Sequence, residues 1–556
     1  MHMRKHWDRN SIYIAGEGFS QDPGYLSGMP PACAASGERR EPSPDAGPGV
    51  KFKFGRMFER RRGFRTVEDS DCMIEKLIKL GQSMNAPERI PSGEPDADPG
   101  DSDIPSGYTY LGQFIAHEIT FNKQEDFSPC ALPPENMRSP QIDLDCLYGG
   151  GPDSPTSSKL YQDRARLKEG QTTAIPDLNT TFPNDLPRNA EGACNSKEAL
   201  LGDPRNDENL AVAQTHLAFI KFHNEVVDIL SRKGCPQGTL FGCARKLVAQ
   251  HFQWIILEDY LPRFLDESVL NDVRGQTLSR LKVEDKDGLF MPLEFAAAAF
   301  RVGHSMIRNR YEWNAYHCSD GLLGGRPAHL FQLFKFTNFS GDLDGAPSLK
   351  SDWVIDWRRF YDFEDSGDEL KYNRARKIDT VFDLRLDKIP NYPHLNLPET
   401  HRSIMVRNLL RGFALGLPTG EEVAEQLGET PLSPEEVSHG LGKEILSDSA
   451  FYGRTPLWYY ILKEAELNGG SRLGPVGSRI IAETFVGLIR KSPYSILATP
   501  GWRPVLGRPV PGAKGQRFEM TDLLNIADCV DPIGRHFKKI YSEEGVFRTG
   551  RGRGVS

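Results

Sequence analysis

In the segment LGQFIAHEIT, residues 111–120, a glutamine and a histidine interrupt an apolar run. Gln113 and His117 are four residues apart, so on a helix they share one face. Gly112, Phe114, Ile115 and Ile119 around them predict that this helix is buried, and buried polar side chains need partners. Histidine, with an ordinary pKa of about 6.5, takes up and returns a proton at neutral pH. A second histidine, His304, follows Gly303 in AFRVGHSMIRNRY, where the missing side chain leaves room for a bulky group to approach the backbone. Asn408 lies on the apolar face of MVRNLLRGFALGLP, and Arg205 lies in the loop LLGDPRNDENL. Arginine stays protonated and stabilises developing negative charge. Singly, each has a plain structural reading, such as a satisfied core histidine. Together they form a set: a proton carrier, a fixed cation, a nitrogen donor and an amide.

The elements that must carry these groups are mostly helical. ENLAVAQTHLAFIKFHNEVVDILSRKG has apolar residues at 210, 213, 217, 220, 227 and 230 and closes at Lys233 and Gly234. TLFGCARKLVAQHFQWIILEDYLPRFL predicts another long helix, disturbed near Pro262. PLEFAAAAFRVGHSMIRNRY predicts a third, with His304 inside it. HRSIMVRNLLRGFALGLP predicts a fourth, stopping at Gly416–Pro418. TPLWYYILKEAELNGG and VGSRIIAETFVGLIRK complete the set. Residues 177–199 read as a long loop. Strand signals are few, and no internal repeat is present. The expected fold class is mainly α: a large single helical domain with long irregular loops and little β. Residues 1–60, rich in Pro, Gly, Ser and charge, are expected to form an N-terminal arm to a main domain of 61–556, and residues 85–107 share that composition.

Composition narrows the function classes. The chain has 556 residues, long enough for a large core, with hydrophobic and charged contents of 38% and 26% that are ordinary for a soluble protein. A net charge of −8 with scattered basic residues argues against a nucleic-acid partner. No stretch approaches the ~20 apolar residues of a transmembrane helix. The opening MHMRKHWDRNSIYIAGEGFS lacks the apolar core of a secretory signal, so a cytoplasmic location is the default expectation, with export by another route left open. Nine cysteines contain no CxxC pair, which indicates neither a disulfide framework nor a zinc site. The sequence does not give the oligomeric state.

GQFIAHE, LDCLYGGGP, GDPRNDEN, AFRVGHSMIR and RNLLRGFALGLP occur in an order that resembles the animal-type heme peroxidase and cyclooxygenase superfamily, which has many bacterial relatives. The likeness runs from about Tyr108 to Tyr494, and 61–556 is then the heme peroxidase catalytic domain. The resemblance implies heme b as cofactor. It places His117 at the distal histidine, Gln113 at the distal glutamine and Arg205 at the catalytic arginine. It places His304 at the proximal iron ligand and Asn408 at the asparagine that bonds that ligand's other nitrogen. Arg301, three residues before His304, and Arg411 fall among the heme-binding residues. Iron needs a neutral imidazole whose second nitrogen is held by an outer partner. The implied activity is reduction of hydrogen peroxide through an oxoferryl intermediate, followed by oxidation of a small organic donor, halide or pseudohalide.

The sequence departs from that family at several positions. One of the family's two heme-ester carboxylates corresponds to Ala116, which forms no ester. The other corresponds to Glu208, leaving one link open. A methionine that is heme-linked in some members corresponds to Asn209. The expected heme is therefore less distorted, and bromide, iodide, thiocyanate or phenolic donors are favoured over chloride. The family's calcium site corresponds to Glu118, in place of an aspartate, with Ser139, the Gln141 carbonyl, Asp143 and Asp145. Two alternatives follow from the same resemblance. One is a fatty-acid dioxygenase, against which stands Arg301, because those members carry a tyrosine there, although Tyr311 and Tyr316 are near in sequence. The other is a non-catalytic heme-binding or adhesion protein.

Overall fold

Two of the long helices begin where a side chain accepts an orphan N–H of the first turn. The computed structural model describes residues 52–59, 70–85, 100–121, 135–136, 138–189, 197–276, 280–286, 288–319, 321, 325–364, 372–383, 386, 402–509 and 516–536. Its main helices are α1 (Ser70–Ser83), α2 (Gly107–Ile119), α3 (Leu210–Arg232), α4 (Gln237–Trp254), α5 (Leu293–Ala297), α6 (Ile404–Leu415), α7 (Leu457–Leu467) and α8 (Pro475–Lys491). Asn209 caps α3 by accepting the Val212 N–H at 3.0 Å, and Gly234 follows its end at φ +83°. Ser403 caps α6, which Gly416 terminates in the left-handed region at φ +58°. The fold is mainly α, and α3 packs on α2 and α4 while α6 packs on α1 and α7.

Two expected helices are reshaped. The chain beyond α4 widens into a π-helical stretch at Ile255–Tyr260. Pro262 has no N–H for the Glu258 carbonyl, and its ring crowds the turn before it. The expected helix through His304 is not continuous. It breaks after α5 at Ala298 (φ −134°, ψ −75°) and resumes as a 3-10 turn over Ala299–His304. Arg301 Nε donates to the Ala296 carbonyl at 2.7 Å, the acceptor that an unbroken helix would give to the Phe300 N–H. The 3-10 turn packs among α2, α5, α7 and α8.

Strands are short. β1 (Phe52–Gly55), β2 (Asp101–Pro105), β3 (Glu135–Asn136), β4 (Glu284–Asp285), β5 (Gly288–Pro292) and β6 (Arg374–Arg376) include a four-stranded sheet of order β3-β1-β5-β4, with β1 parallel to β5 and antiparallel to β3. β1 lies within the span expected to be an arm. Phe54 and Phe58 are buried in the core, and Arg56 donates to the Leu415 and Gly416 carbonyls at the end of α6. Residues 52–59 are therefore built into the domain, because two apolar rings and a row of backbone groups find partners there. Residues 1–51 and 60 lie outside the described residues. Among the described residues, no helix is long and apolar enough to cross a membrane.

Candidate active site

The distal group stands on α2 and on a 3-10 turn at Pro204–Asp207. α2 approaches its neighbours closely: a Cβ on Gly112 would lie 2.3 Å from the Tyr260 hydroxyl, so any larger residue there forces the tyrosine or the helix to shift. One residue later, Gln113 Oε1 accepts from Asn209 Nδ2 at 2.9 Å, with Glu208 Oε2 3.5 Å from its Nε2. His117, one turn further, is buried, and its Nδ1 is 2.8 Å from Asn206 Oδ1. Arg205 reaches α2 through the backbone. Its Nη2 donates to the carbonyls of His117 (2.9 Å) and Thr120 (2.7 Å), and its Nε and Nη2 grip both oxygens of Asp203 at 3.0 and 2.7 Å. Arg138 holds Asp203 from the other side at 2.8 Å. Burial opposes ionisation of Asp203, but the two guanidiniums outweigh it and hold the carboxyl well below the usual range. Arg205 Nη1 makes no hydrogen bond among the described residues, and the guanidinium lies over the Phe121 ring at 4.6 Å.

The opposite wall is the Ala299–His304 turn. Burial, reinforced by Arg301 and Arg407, pushes His304 down to about 3, so its ring is neutral. Asn408 Nδ2 stands 2.9 Å from His304 Nδ1, while Asn408 Oδ1 is buried without a hydrogen-bond partner. A half-turn of the carboxamide exchanges the two atoms and gives that orphaned oxygen an Nδ1–H to accept. Arg301 is pushed down to about 9 by burial and by the Arg205 charge, with Glu208 opposing. Arg205 is already paired with Asp203, and Arg301 and Glu208 add a second pair of opposite charges at this wall. A Cβ on Gly303 would meet nothing within 4 Å, and Gln113 and Ala116 are half-buried on an otherwise buried helix. The donor set, the open space beside Gly303 and the orphaned amide oxygen fit a heme held by His304.

The acidic loop was expected to take calcium. Glu118 is fully buried and accepts the N–H groups of Leu144 and Cys146. Ile142 and Leu144, both in the left-handed region, turn the loop so that these N–H groups point at it. Ser139 N donates to Asp145 and Gln141 N to Ser139. Asp143 pairs with Arg245 at 2.9 Å and Asp145 with Arg138 at 3.6 Å. Asp143 Oδ1 and Asp145 Oδ1 are buried without hydrogen-bond partners. They suit a cation, but Arg245 and Arg138 already pair these two carboxylates, and Glu118 is held by backbone N–H groups with its carboxyl pushed up by burial and by the two aspartates. Among the described residues no three His, Cys, Asp or Glu side chains are arranged to hold a metal ion. The set fits calcium only in part.

Sequence reasoning missed Asp203, Asn206 and His216. Asp203 and Asn206 flank Arg205 in GDPRNDEN, and His216 sits on the buried stripe of α3 beside Ala213 and Leu217. Polar residues in those two settings were the signal.

Residues 119–322 match the family model described as animal haem peroxidase. Heme peroxidase 2 of Caenorhabditis elegans is 24% identical over 392 residues, covering 66% of this chain and 49% of that protein. Peroxidase A from Dictyostelium discoideum superposes with a TM-score of 0.53 at 16% identity, over 80% of this chain and 88% of that one. A fatty acid alpha-dioxygenase from Oryza sativa superposes with a TM-score of 0.53 at 12% identity, over 89% and 82%. At such identities the superpositions speak for the fold. The family-model match over residues 119–322 and the peroxidase relatives, together with the shared fold, support a place for this chain in the animal-type heme peroxidase and cyclooxygenase superfamily. It spans about half the length of the first of these curated relatives and less of others such as the dual oxidases.

Proposed function

We propose that this chain is a heme peroxidase that reduces hydrogen peroxide and oxidises small organic donors, halide or pseudohalide, with a catalytic domain that includes residues 52–59 as well as the main body after residue 60. The observation that carries this reading is the His304–Asn408 pair, an imidazole with an amide at one ring nitrogen, on a turn that packs against the helix bearing His117. In this reading His304 binds the iron, Asn408 orients His304, and Arg301 and Arg411 meet the heme's carboxylates. Glu208, 3.5 Å from Gln113, is the acid available for one ester link. Heme, when bound, supplies the redox-active iron that receives peroxide. With heme bound, His117 Nε2 would be the atom that accepts a proton from peroxide and returns it. Arg205 Nη1 stabilises the charge on the departing peroxide oxygen. Gln113 holds water or halide through its carboxamide.

The absence of an acid at Ala116 supports bromide, iodide, thiocyanate or phenolic donors over chloride, and efficient hypochlorite formation at neutral pH would overturn that preference. Calcium belongs to the proposal in reduced form, through Asp143 Oδ1 and Asp145 Oδ1: a melting temperature unmoved by calcium and chelator removes it. The deciding experiment is the absorption spectrum of heme-supplied protein before and after one equivalent of peroxide, with His304→Ala in parallel. A Soret band that shifts with peroxide and is lost or altered in the variant is expected. Folded protein that takes up no heme would sink the reading.

A second reading, fatty-acid oxygenation, draws support from the dioxygenase-like fold and from Tyr311, buried with its hydroxyl 2.8 Å from that of Tyr110. Oxygen uptake with linoleate would favour it.

A further inference from the structure

The Pro204–Asp207 turn delivers two adjacent side chains to the end of α2. Arg205 takes the backbone and Asn206 takes the ring. Asn206 Oδ1 lies 2.8 Å from His117 Nδ1, and Asn206 Nδ2 lies 2.9 Å from His216 Nδ1. The three side chains are at most 2% exposed, so solvent does not substitute for either bond. His216 is fixed in turn on α3, with Phe114 of α2 edge-on to its ring at 5.8 Å.

An amide between two imidazoles admits two self-consistent states. An amide oxygen only accepts. With Oδ1 toward His117, that ring carries its proton on Nδ1 and its Nε2 is unprotonated. An amide nitrogen only donates, so His216 Nδ1 is bare and its proton sits on Nε2. Turning the amide over reverses both rings, and His117 would then carry Nε2–H and could not act as a base through that atom. Burial pushes His216 down to about 3, so it is neutral and has one proton to place.

We propose that Asn206 and His216 are positioning residues that lock His117 in the Nδ1–H tautomer, leaving Nε2 as the proton acceptor. The role given to Nε2 rests on the peroxidase reading; the tautomer itself does not. Neither residue touches peroxide. They act through His117.

The test is a two-bond proton–nitrogen NMR spectrum of the full, heme-free chain labelled with nitrogen-15 histidine, with His117→Gln and His216→Phe as assignment controls. The parent is expected to show Nδ1–H for His117 and Nε2–H for His216. Asn206→Ala is expected to move His117 toward Nε2–H. Asn206→Asp replaces the donor by a second acceptor. It should leave His117 as Nδ1–H while switching His216 to Nδ1–H, a signature that loss of packing does not mimic. It also keeps the proposal exposed to disproof if the alanine variant fails to fold. An Nε2–H His117 in the parent, or a His117 tautomer unmoved by Asn206→Ala, overturns the proposal.

In heme-supplied protein, the rate constant of the peroxide-driven Soret change should fall by about 100-fold or more in Asn206→Ala, the scale of general acid–base catalysis, and recover in Asn206→Asp. A parent that does not react with peroxide defeats the peroxidase reading and leaves the tautomer result standing. A parent that reacts, with Asn206→Ala reacting equally fast, defeats the positioning role alone.

Discussion

At the scale of residues, one carboxamide decides what His304 does. A buried neutral imidazole without an acceptor at Nδ1 would be free to rotate or to present the wrong nitrogen, and Asn408 removes that freedom from 2.9 Å away. Outer partners of metal-bound histidines are typically worth about 10–100-fold in affinity or activity. Asn408→Ala is therefore expected to lower heme affinity or peroxide reactivity within that range, read by heme titration followed in the Soret band. Unchanged affinity and reactivity would mean that Asn408 is only a packing residue. The tautomer test on Asn206 belongs to the same scale: Asn206 and Asn408 each place a carboxamide against one imidazole nitrogen.

Elements meet at fixed distances, and the contact between α2 and the π-helical stretch is the tightest constraint on the distal helix. Gly112 lies against the Tyr260 hydroxyl. Gly112→Ala is expected to cost about 1–3 kcal/mol, the ordinary cost of overpacking. Tyr260→Phe deletes the atom in the way, so the double variant should recover part of the loss. A denaturation cycle over the four proteins measures the coupling, and additivity would show that the hydroxyl is not the obstacle. The widened turn at Ile255–Tyr260 and the break at Ala298 act alike: each trades regular hydrogen bonding for a particular placement, of Tyr260 beside α2 and of His304 beside Asn408.

Across the whole molecule, helices are joined by buried acids as well as by apolar packing. Glu464 of α7 accepts the Val476 and Gly477 N–H groups at the start of α8. Burial pushes its carboxyl up to about 7 against those two bonds, which pull the other way. The folded protein thus holds this proton more tightly than the unfolded chain. The contribution is fully present below the unfolded value of about 4.5 and is lost as pH rises through about 7. Glu464→Gln does not ionise. Its melting temperature relative to the parent is expected to rise between about pH 5 and about pH 8. A difference that stays constant with pH would show that Glu464 is not the titrating group. Asp203 has the opposite sign: held low by Arg138 and Arg205, it stabilises the fold above the ordinary carboxylate range and loses that effect in acid.

Periodicity and capping residues made α3, α6, α7 and α8 legible in the sequence, because an amphipathic stripe and its end signals are local properties. Spacing also singled out Gln113 and His117, since four residues on a helix fix a shared face. Pro262 announced a disturbance, but its form, a π-helical stretch, depends on what the widened turn packs against. The break at Ala298 was not legible. It arises when the Arg301 side chain competes for the Ala296 carbonyl, and local propensity for a run of alanines points the other way. Asp203, Asn206 and His216 were invisible for the same reason. A polar residue shows its type in the sequence, but its partner comes from another element: only the folded chain brings Asn206 between His117 and His216, residues 89 and 10 positions from it. The sequence determined which residues can carry charge, protons and a metal. The tertiary structure decided which side chain faces each imidazole nitrogen, because those partners come from other elements of the chain.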